Sequence, residues 1–550
     1  MVEVDLERQQ ECTAATERAT VTTMTDEEKV EDTTTTERGS DDVDVDPEAR
    51  PAVFHSTFQE VVCIAVLALA PAMNSANQGS LLIVLPHVGE YFGIEGSQLS
   101  WILNSYSLVA GATMLIFARL SDMLGRKRAL LTSFVWYAVF SLIEGFVKSD
   151  IVFDVLRGLQ AFAGAAAAPA AVGILGVIYP EGRRKNRVVA MFAAGAPMGF
   201  VLGMTASGIC TTFLGWKALL FFLAIVYGVL AVAGAFVIPS DATAFAVANR
   251  LVRAAGGKEI VPERRTWRTS MQLLRSLDFI GAGLSFVGLA MFVFALSASG
   301  GAAQGWRTPY VIGVLIAGVA IVGLFIVWEH YAKSPLMPMF IWRCPGFAVC
   351  MATVFCGWMV FQGGLLYFVP LAFQNIRKYT VLESVLHLLP QNLSGMLTCF
   401  VAANIMHVVP GRIIMVIAMV AFLIGALLWA TQPYGMSYWA MTFPALIVVP
   451  IGCDLAYNVA SQFAMSVVPP ALKSTAGGVF VVMTQLAASV GVAASTAVVT
   501  SQIGNDITGQ DAEVLFRGYR SAYWLSVGVA GAGVVLAVMM RGVGTQGAKK

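Results

Sequence analysis

The chain reads as an all-α polytopic membrane protein on three grounds. It has too few charges to cover a water-facing surface, apolar stretches of spanning length recur along it, and cations cluster in every second connection. Of its 550 residues, 57% are hydrophobic and 13% charged, with a mean hydropathy of +0.72. A soluble domain carries about 25% charged residues, so the solvent around most of this chain is lipid. The net charge of +1 hides an uneven distribution, because residues 1–50 hold sixteen of the 34 acidic residues. That region includes Thr33 to Thr36 and almost no large apolar side chains. It cannot bury enough surface to offset the entropy of ordering. A disordered, acidic, cytosolic tail is expected over 1–55, and not a signal peptide, since no basic start precedes an apolar stretch.

A spanning helix needs roughly 20 mostly apolar residues. Runs bounded by charge, proline or glycine place spans at 57–86, 97–118, 129–147, 152–179, 188–210, 217–238, 277–298, 310–329, 347–371, 383–404, 411–430, 438–465, 474–499 and 520–540. Fourteen spans put both termini on one side. One set of connections carries Arg119, Arg126 to Arg128, Arg183, Arg184, Lys185, Arg187, seven cations between Arg250 and Arg275, Lys333, Arg343, Arg412 and Lys473, nineteen in all. The opposite set carries Lys148, Lys217, Arg307, Arg377, Lys378, Arg517 and Arg520, only seven. The positive-inside rule therefore puts both termini and the basic 240–276 loop, interrupted by Pro262, in the cytosol. Eight cysteines lie mostly in apolar segments with no CxxC pair, and read as small apolar filler and not as metal ligands.

Three stretches depart from plain lipid-facing helix. After span two the chain reads Ala118-Arg-Leu-Ser-Asp122-Met-Leu-Gly125-Arg126-Lys127-Arg128. Gly125 permits a tight turn, Asp122 can accept hydrogen bonds at a helix N-terminus, and the cations can bridge to carboxylates or lipid phosphate. The plainer alternative is an ordinary positive-inside loop. Span four contains Arg157-Gly158-Leu159-Gln160, whose two polar residues share one helix face. A charge in hydrocarbon costs about 3 kcal/mol or more and is rarely without function; the alternatives are a shallow, snorkelling Arg157 or a local ion pair with Asp154. Span five contains Gly195-Ala-Pro197-Met-Gly199-Phe-Val-Leu-Gly203, glycines four apart that make a groove for close helix approach around a proline bend.

Proton coupling needs a buried titratable group. Asp454, well inside span twelve, is the candidate, with a structurally paired polar role as the alternative. Glu144 near the outer end of span three reads as interfacial, and Glu60 at the start of span one as facing cytosol. The middle of span one, Asn74-Ser75-Ala76-Asn77-Gln78, holds no acid. Asn74 and Asn77 share a face, and unpaired amides are costly in lipid, so they point to a wet cavity or to another helix. Further polar or aromatic marks fall at Asn104, Trp358, Gln362, Tyr367, Gln391, Asn458, Gln462 and Gln485. As a set they describe an uncharged, amphipathic cavity suited to neutral or weakly basic organic compounds.

These motifs resemble those of the major facilitator superfamily: its Gly-x-x-x-Asp-x-x-Gly-Arg-Lys/Arg loop after span two, the Arg-Gly-x-Gln motif of its exporters, and its Gly/Pro-rich antiporter motif. With Trp101 to Leu108 and Thr475 to Phe480, the chain resembles the fourteen-spanner drug:proton antiporters over about residues 57–540, in the style of the fungal aminotriazole-resistance and borate-export group. The resemblance implies a major facilitator fold of fourteen helices arranged six, two and six. It places a six-helix bundle at 56–239, an inserted pair at 277–346, a second bundle at 347–541 and a cytosolic tail at 542–550. It also implies that Asp122, Gly125, Arg126, Lys127 and Arg128 latch the two halves on the cytosolic side. Arg157 and Gln160, with Asp454, would serve proton exchange, and Gly195, Pro197, Gly199 and Gly203 would mark an exporter. Ala118, Met123 and Ala196 depart from the family pattern and point to a looser latch; Asn404 to Arg412 is at best a degenerate second loop.

The expected protein is thus a proton-driven exporter of toxins, drugs or secondary metabolites, monomeric, in the plasma membrane. It would contact small-molecule substrate, protons and lipid, with no cofactor, metal, nucleic acid or enzymatic activity. The alternatives are a facilitator of a small inorganic solute such as borate or ammonium, and a transporter-like nutrient sensor signalling through the acidic tail. Deleting residues 1–50 separates the last from the others. Transport measured in cells carrying the truncated chain is expected to match that of the full chain at equal membrane abundance, and a loss of signalling with transport intact would indicate a sensor.

Overall fold

The computed structural model describes residues 50–240 and 278–540, apart from short breaks at 52, 55, 180–182, 302–304, 333–334, 336, 338, 407, 469–472 and 505–509. The acidic tail, the 240–276 loop and the 542–550 segment lie almost wholly outside the described residues. Fourteen long helices follow one another: α1 (Thr57–Phe92), α2 (Gly96–Leu124), α3 (Arg126–Glu144), α4 (Asp150–Ile178), α5 (Arg183–Leu214), α6 (Trp216–Val237), α7 (Phe279–Gly301), α8 (Pro309–Tyr331), α9 (Phe347–Ile376), α10 (Val381–Ile405), α11 (Gly411–Thr431), α12 (Tyr438–Ser466), α13 (Lys473–Ile503) and α14 (Ala512–Met539). Each overlaps one expected span. Over the described residues, twelve are long and apolar enough to cross a membrane. Of the other two, α2 and α3, the latter carries three cations in its first turn and Glu144 at its end.

Local chemistry sets the ends. The Ser56 side chain accepts the Gln59 N–H at 3.1 Å and starts α1, and Gly93 at φ 67° ends it. Pro86, read from sequence as a boundary, lies inside α1 together with Pro71. In lipid a proline bends a helix without ending it when neighbours satisfy the freed carbonyl. Thr380 and Glu383 close a reciprocal cap at the start of α10. Between α2 and α3 the chain turns at Gly125, whose φ of 106° excludes most other residues. Within α9 the ladder widens to π-helix over Met359–Leu366, beside the space between the halves, and again over Ala372–Ile376 in its last turn.

Small residues decide which helices touch. A Cβ on Gly195, Gly199 or Gly203 of α5 would land on the carbonyls of Ala68, Ala72 and Ala76 of α1, so these two helices meet backbone to backbone. The same close approach joins α9 to α13 through Gly363 and Gly491. Helices α1 to α6 pack among themselves, as do α9 to α14. The two groups meet along α2 with α13 and along α5 with α10. There Gly111 faces Gln485 and Gly208 faces Val385. At the end of the bundle away from the N-terminus, Gln374 of α9 donates to the Ile83 carbonyl of α1 at 2.8 Å. Helix α7 lies over the α2–α13 seam. It reaches α2 through Ser297, which accepts from Asn104 at 3.4 Å, and through the Trp101–Phe294 ring contact at 5.7 Å. Helix α8 leans on α7, tied by Trp328 donating to Asp278 at 2.9 Å.

The α1–α5 contact has no room to give, because the obstacle is backbone. Gly199→Ala is expected to cost about 1–3 kcal/mol, lowering the thermal midpoint of detergent-solubilised protein by several degrees. Gly228→Ala, where nothing lies within 4 Å, should leave the midpoint unchanged.

Candidate functional site

Arg157 is completely buried, 0% exposed, and three helices supply what surrounds it. Its Nη1 donates to Asn77 Oδ1 of α1 at 3.2 Å and to Gln160 Oε1 one turn away on α4. Asn77 Nδ2 donates to the same Gln160 oxygen at 2.9 Å, and Gln160 Nε2 donates to Ser141 Oγ of α3 at 2.8 Å. The guanidinium carbon also stands 4.9 Å from the Tyr106 ring centroid of α2, a cation–π contact that desolvation strengthens. Arg157 is therefore neither shallow nor paired locally: Asp154 makes no ion pair with it, and leaves its own Oδ1 without a partner. One turn below, Asn74 accepts from the hydroxyls of Tyr106 and Tyr137, Tyr137 stacks on Tyr227 at 4.4 Å, and Tyr227 donates to the Met73 carbonyl at 2.7 Å.

The loop between α2 and α3 binds its own half of the molecule. Arg126 Nη1 donates to the Gly173 carbonyl of α4 at 2.6 Å, and a Cβ on Gly173 would sit 2.6 Å from Arg126 Nε. Lys127 donates to the carbonyls of Ala235 at 2.9 Å and Ile238 at 2.5 Å, satisfying the C-terminal end of α6 where carbonyls are free and the dipole favours a cation. Arg128 is exposed. The backbone of Asp122 belongs to the last turn of α2, but its side chain lies outside the described residues. Beside this loop, Glu60 is not solvent-facing as the sequence suggested. It is 2% exposed, ion-paired to Arg184 at 2.6 Å and hydrogen-bonded by the Tyr179 hydroxyl at 3.0 Å.

Between the halves lies a narrow space of about 30 Å³, lined by Gln78, Asn104, Tyr106, Arg157, Phe200, Gln362, Tyr367 and Val492, among others. Of the sequence-marked cavity residues, Asn104, Gln362 and Tyr367 line it. Asn74 and Asn77 turn into the first half. Trp358 is buried against Tyr457 at 5.6 Å, and Gln391 is buried in α10. Asn458 donates back to the Asp454 carbonyl at 2.8 Å, Gln462 is exposed beside Met406 at 3.8 Å, and Gln485 packs on Gly111 of α2. Asp454 lies against Gly395 of α10, its Oδ2 2.9 Å from where a Cβ would stand, with Cys399 hydrogen-bonded to it. It is in the second half, apart from Arg157. Sequence reasoning missed Gln78, Tyr106, Tyr137, Ser141 and Tyr227. Glu144, read as interfacial, is completely buried, 0% exposed. The missed signal was helical spacing: Ser141 and Glu144 are three apart, as are Arg157 and Gln160 on the next span.

Among the described residues, twelve long helices in two groups of six, two more beside them, and a partly polar space between the groups make this a multi-pass membrane transporter. The family model of the Major Facilitator Superfamily matches residues 67–492, and the chain belongs to that superfamily. It is 32% identical over 485 residues to the low affinity ammonium transporter of Saccharomyces cerevisiae, covering 88% of each chain. It is 30% identical over 513 residues to the efflux pump terJ of Aspergillus terreus, covering 92% of this chain and 91% of the pump. The aminotriazole resistance protein of Saccharomyces cerevisiae is 28% identical over 507 residues, 90% of this chain and 85% of that one. Among solved structures, a mutant form of the nucleoside transporter NupG shares the fold, with a TM-score of 0.52 at 13% identity over 88% of this chain and 100% of that one.

The geometry ranks the buried amides. Asn77→Leu strips Arg157 and Gln160 of a partner each and is expected to cost about 1–3 kcal/mol. Asn104→Leu, which loses one 3.4 Å bond, should cost about 1 kcal/mol or less. Thermal midpoints of the two variants in the same detergent check the order.

Proposed function

We propose that the protein is a secondary active exporter that moves small organic compounds, such as toxins, drugs or secondary metabolites, across the plasma membrane by alternating access coupled to protons. The observation that carries this reading is Arg157, a desolvated cation that borders the central space on one side and is held by Asn77 and Gln160 on the other. A charge so placed responds to whatever enters the space and to any change in the charge of nearby titratable groups. Asp454, half-buried against Gly395 of α10, is the second coupling group. Asp122, Gly125, Arg126, Lys127 and Arg128 brace the cytosolic side. The glycine contacts between α1 and α5 lock these two helices into one unit of the first half. Gln78, Asn104, Gln362 and Tyr367 form the polar part of the substrate space, and their lack of charge suits neutral or weakly basic compounds. Both termini are cytosolic, the chain works as a monomer, and its helices divide six, two and six. Similarity to an efflux pump and to an aminotriazole resistance protein supports export.

A second reading, passage of a small inorganic solute such as ammonium or borate, is favoured by similarity to a low affinity ammonium transporter and by the absence of any acid in the middle of α1. One experiment separates the two. Cells lacking their own pumps and expressing this chain are loaded with rhodamine 6G, and its loss is followed with and without a protonophore. Export is expected to fall about ten-fold or more in Arg157→Ala, the effect of losing charge-assisted contacts of about 1.5–3 kcal/mol, and to stop when the gradient is collapsed. Dye loss unchanged by the protonophore, together with gain of methylammonium uptake, would overturn the exporter in favour of the second reading.

A further inference from the structure

Arg157 has more donors than partners. Its Nη1 serves Asn77 and Gln160, while Nε and Nη2 are buried with no partner. On the facing helix α3, both carboxylate oxygens of Glu144 are buried with no partner either. The hairpin register puts the two side chains at one depth. Gln160 bonds Ser141 across the α3–α4 interface at 2.8 Å. Glu144 is three residues on from Ser141, and Arg157 three residues back from Gln160. In an antiparallel pair those two positions lie level, each on the face already in contact. The other ionisable groups facing Glu144 are Tyr106 of α2 and Tyr227 of α6. Among the described residues Arg157 is the one cation acting on it.

We infer that Glu144 is the proton-carrying partner of Arg157, and that its protonation decides whether the guanidinium is held by the Asn77–Gln160 amides or by the carboxylate. Resting on the proton-coupled reading, this assigns to α3 the acid that α1 lacks. The two orphaned sets are complementary: an ionised, unpaired carboxylate at this depth is strongly disfavoured, and so are idle guanidinium N–H groups. The structure shows them unjoined, which is the arrangement of a neutral Glu144. Loss of its proton to water in the central space leaves a carboxylate that draws Nε and Nη2 toward α3 and takes Nη1 off Gln160. The cation then withdraws from the edge of the space. Reprotonation from the other side of the membrane returns it. One proton is taken up and one released per cycle, with no bond made or broken other than the carboxyl O–H.

Infrared difference spectra between about pH 5 and about pH 9, a window that brackets a buried carboxyl, test this on the full chain in lipid nanodiscs. With Asp454→Asn as the background, which removes the second coupling carboxyl, the protein is expected to show a high-frequency carboxylic-acid C=O band that titrates, lost on adding Glu144→Gln, shifted but present with Glu144→Asp, and retained with Asp154→Asn. Retention of the band in Glu144→Gln, or its loss in Asp154→Asn alone, would overturn the assignment. In proteoliposomes with rhodamine 6G, Glu144→Gln should keep dye exchange at zero gradient and lose accumulation driven by a pH gradient. Exchange lost along with accumulation would make Glu144 structural. A wild type indifferent to the gradient, with the band still lost in Glu144→Gln, would reject the proton-coupled reading while keeping Glu144 as the titrating group.

Discussion

A guanidinium at membrane depth needs polar partners that lipid cannot supply, and the first half of this protein brings three helices together to give Arg157 those it has. Asn77 must come from α1, Gln160 from α4 itself, and Ser141 from α3 to hold the amide of Gln160 in turn. Bringing α1 this far in requires it to lie against α5 with no side chain between, which is what the alanine carbonyls opposite Gly195, Gly199 and Gly203 achieve. The tyrosines of α2, α3 and α6 then fill the remaining volume and hydrogen-bond to one another and to α1. In hydrocarbon, where water cannot repair an unmet donor, polar satisfaction and helix packing are one problem.

The second half solves a different problem. Its core is aromatic and aliphatic, with Phe373, Phe422, Trp429, Tyr519 and Tyr523 buried, and its helix α9 loosens into π-helix where it borders the central space. The two halves meet along α2 with α13 and along α5 with α10, where Gly111 stands opposite Gln485 and Gly208 opposite Val385. Packed cores resist deformation whereas interfaces between rigid bodies can rearrange, so motion is expected where the halves meet and not inside either one. Helix α7 covers one of these seams and contributes Ser297 to Asn104, so α7 forms part of the wall where the two halves meet.

Much of this was legible from the chain alone. The apolar runs gave all fourteen helices because lipid demands a long uninterrupted apolar helix for each crossing. Gly125, Arg126 and Lys127 were legible as a turn followed by cations, and the glycine series in α5 as a close contact. What the sequence hid was which partner each polar residue would find. Asn74 and Asn77 were equally compatible with a wet cavity and with a neighbouring helix, and the fold chose the helix. Glu144 and Glu60 each lie close to a helix end, where exposure is the ordinary outcome. One is instead enclosed by α2, α4 and α6, and the other is clasped by Tyr179 and Arg184. Pro86 misled because a proline's usual cost to a helix presumes water beyond its end.

Composition and periodicity thus settled by themselves that the protein is a bundle of membrane-crossing helices and where each helix runs, because those properties depend only on residues close in sequence and on the surrounding solvent. The tertiary structure alone decided that Arg157 reaches Asn77 eighty positions away, that Asp454 stays in the other half, and that Glu144 stands level with the arginine. Such contacts depend on the rotation and depth of whole helices against one another. A shift of one residue in a spanning helix turns a side chain by about 100°, from lipid to core, without changing the hydropathy that located the span.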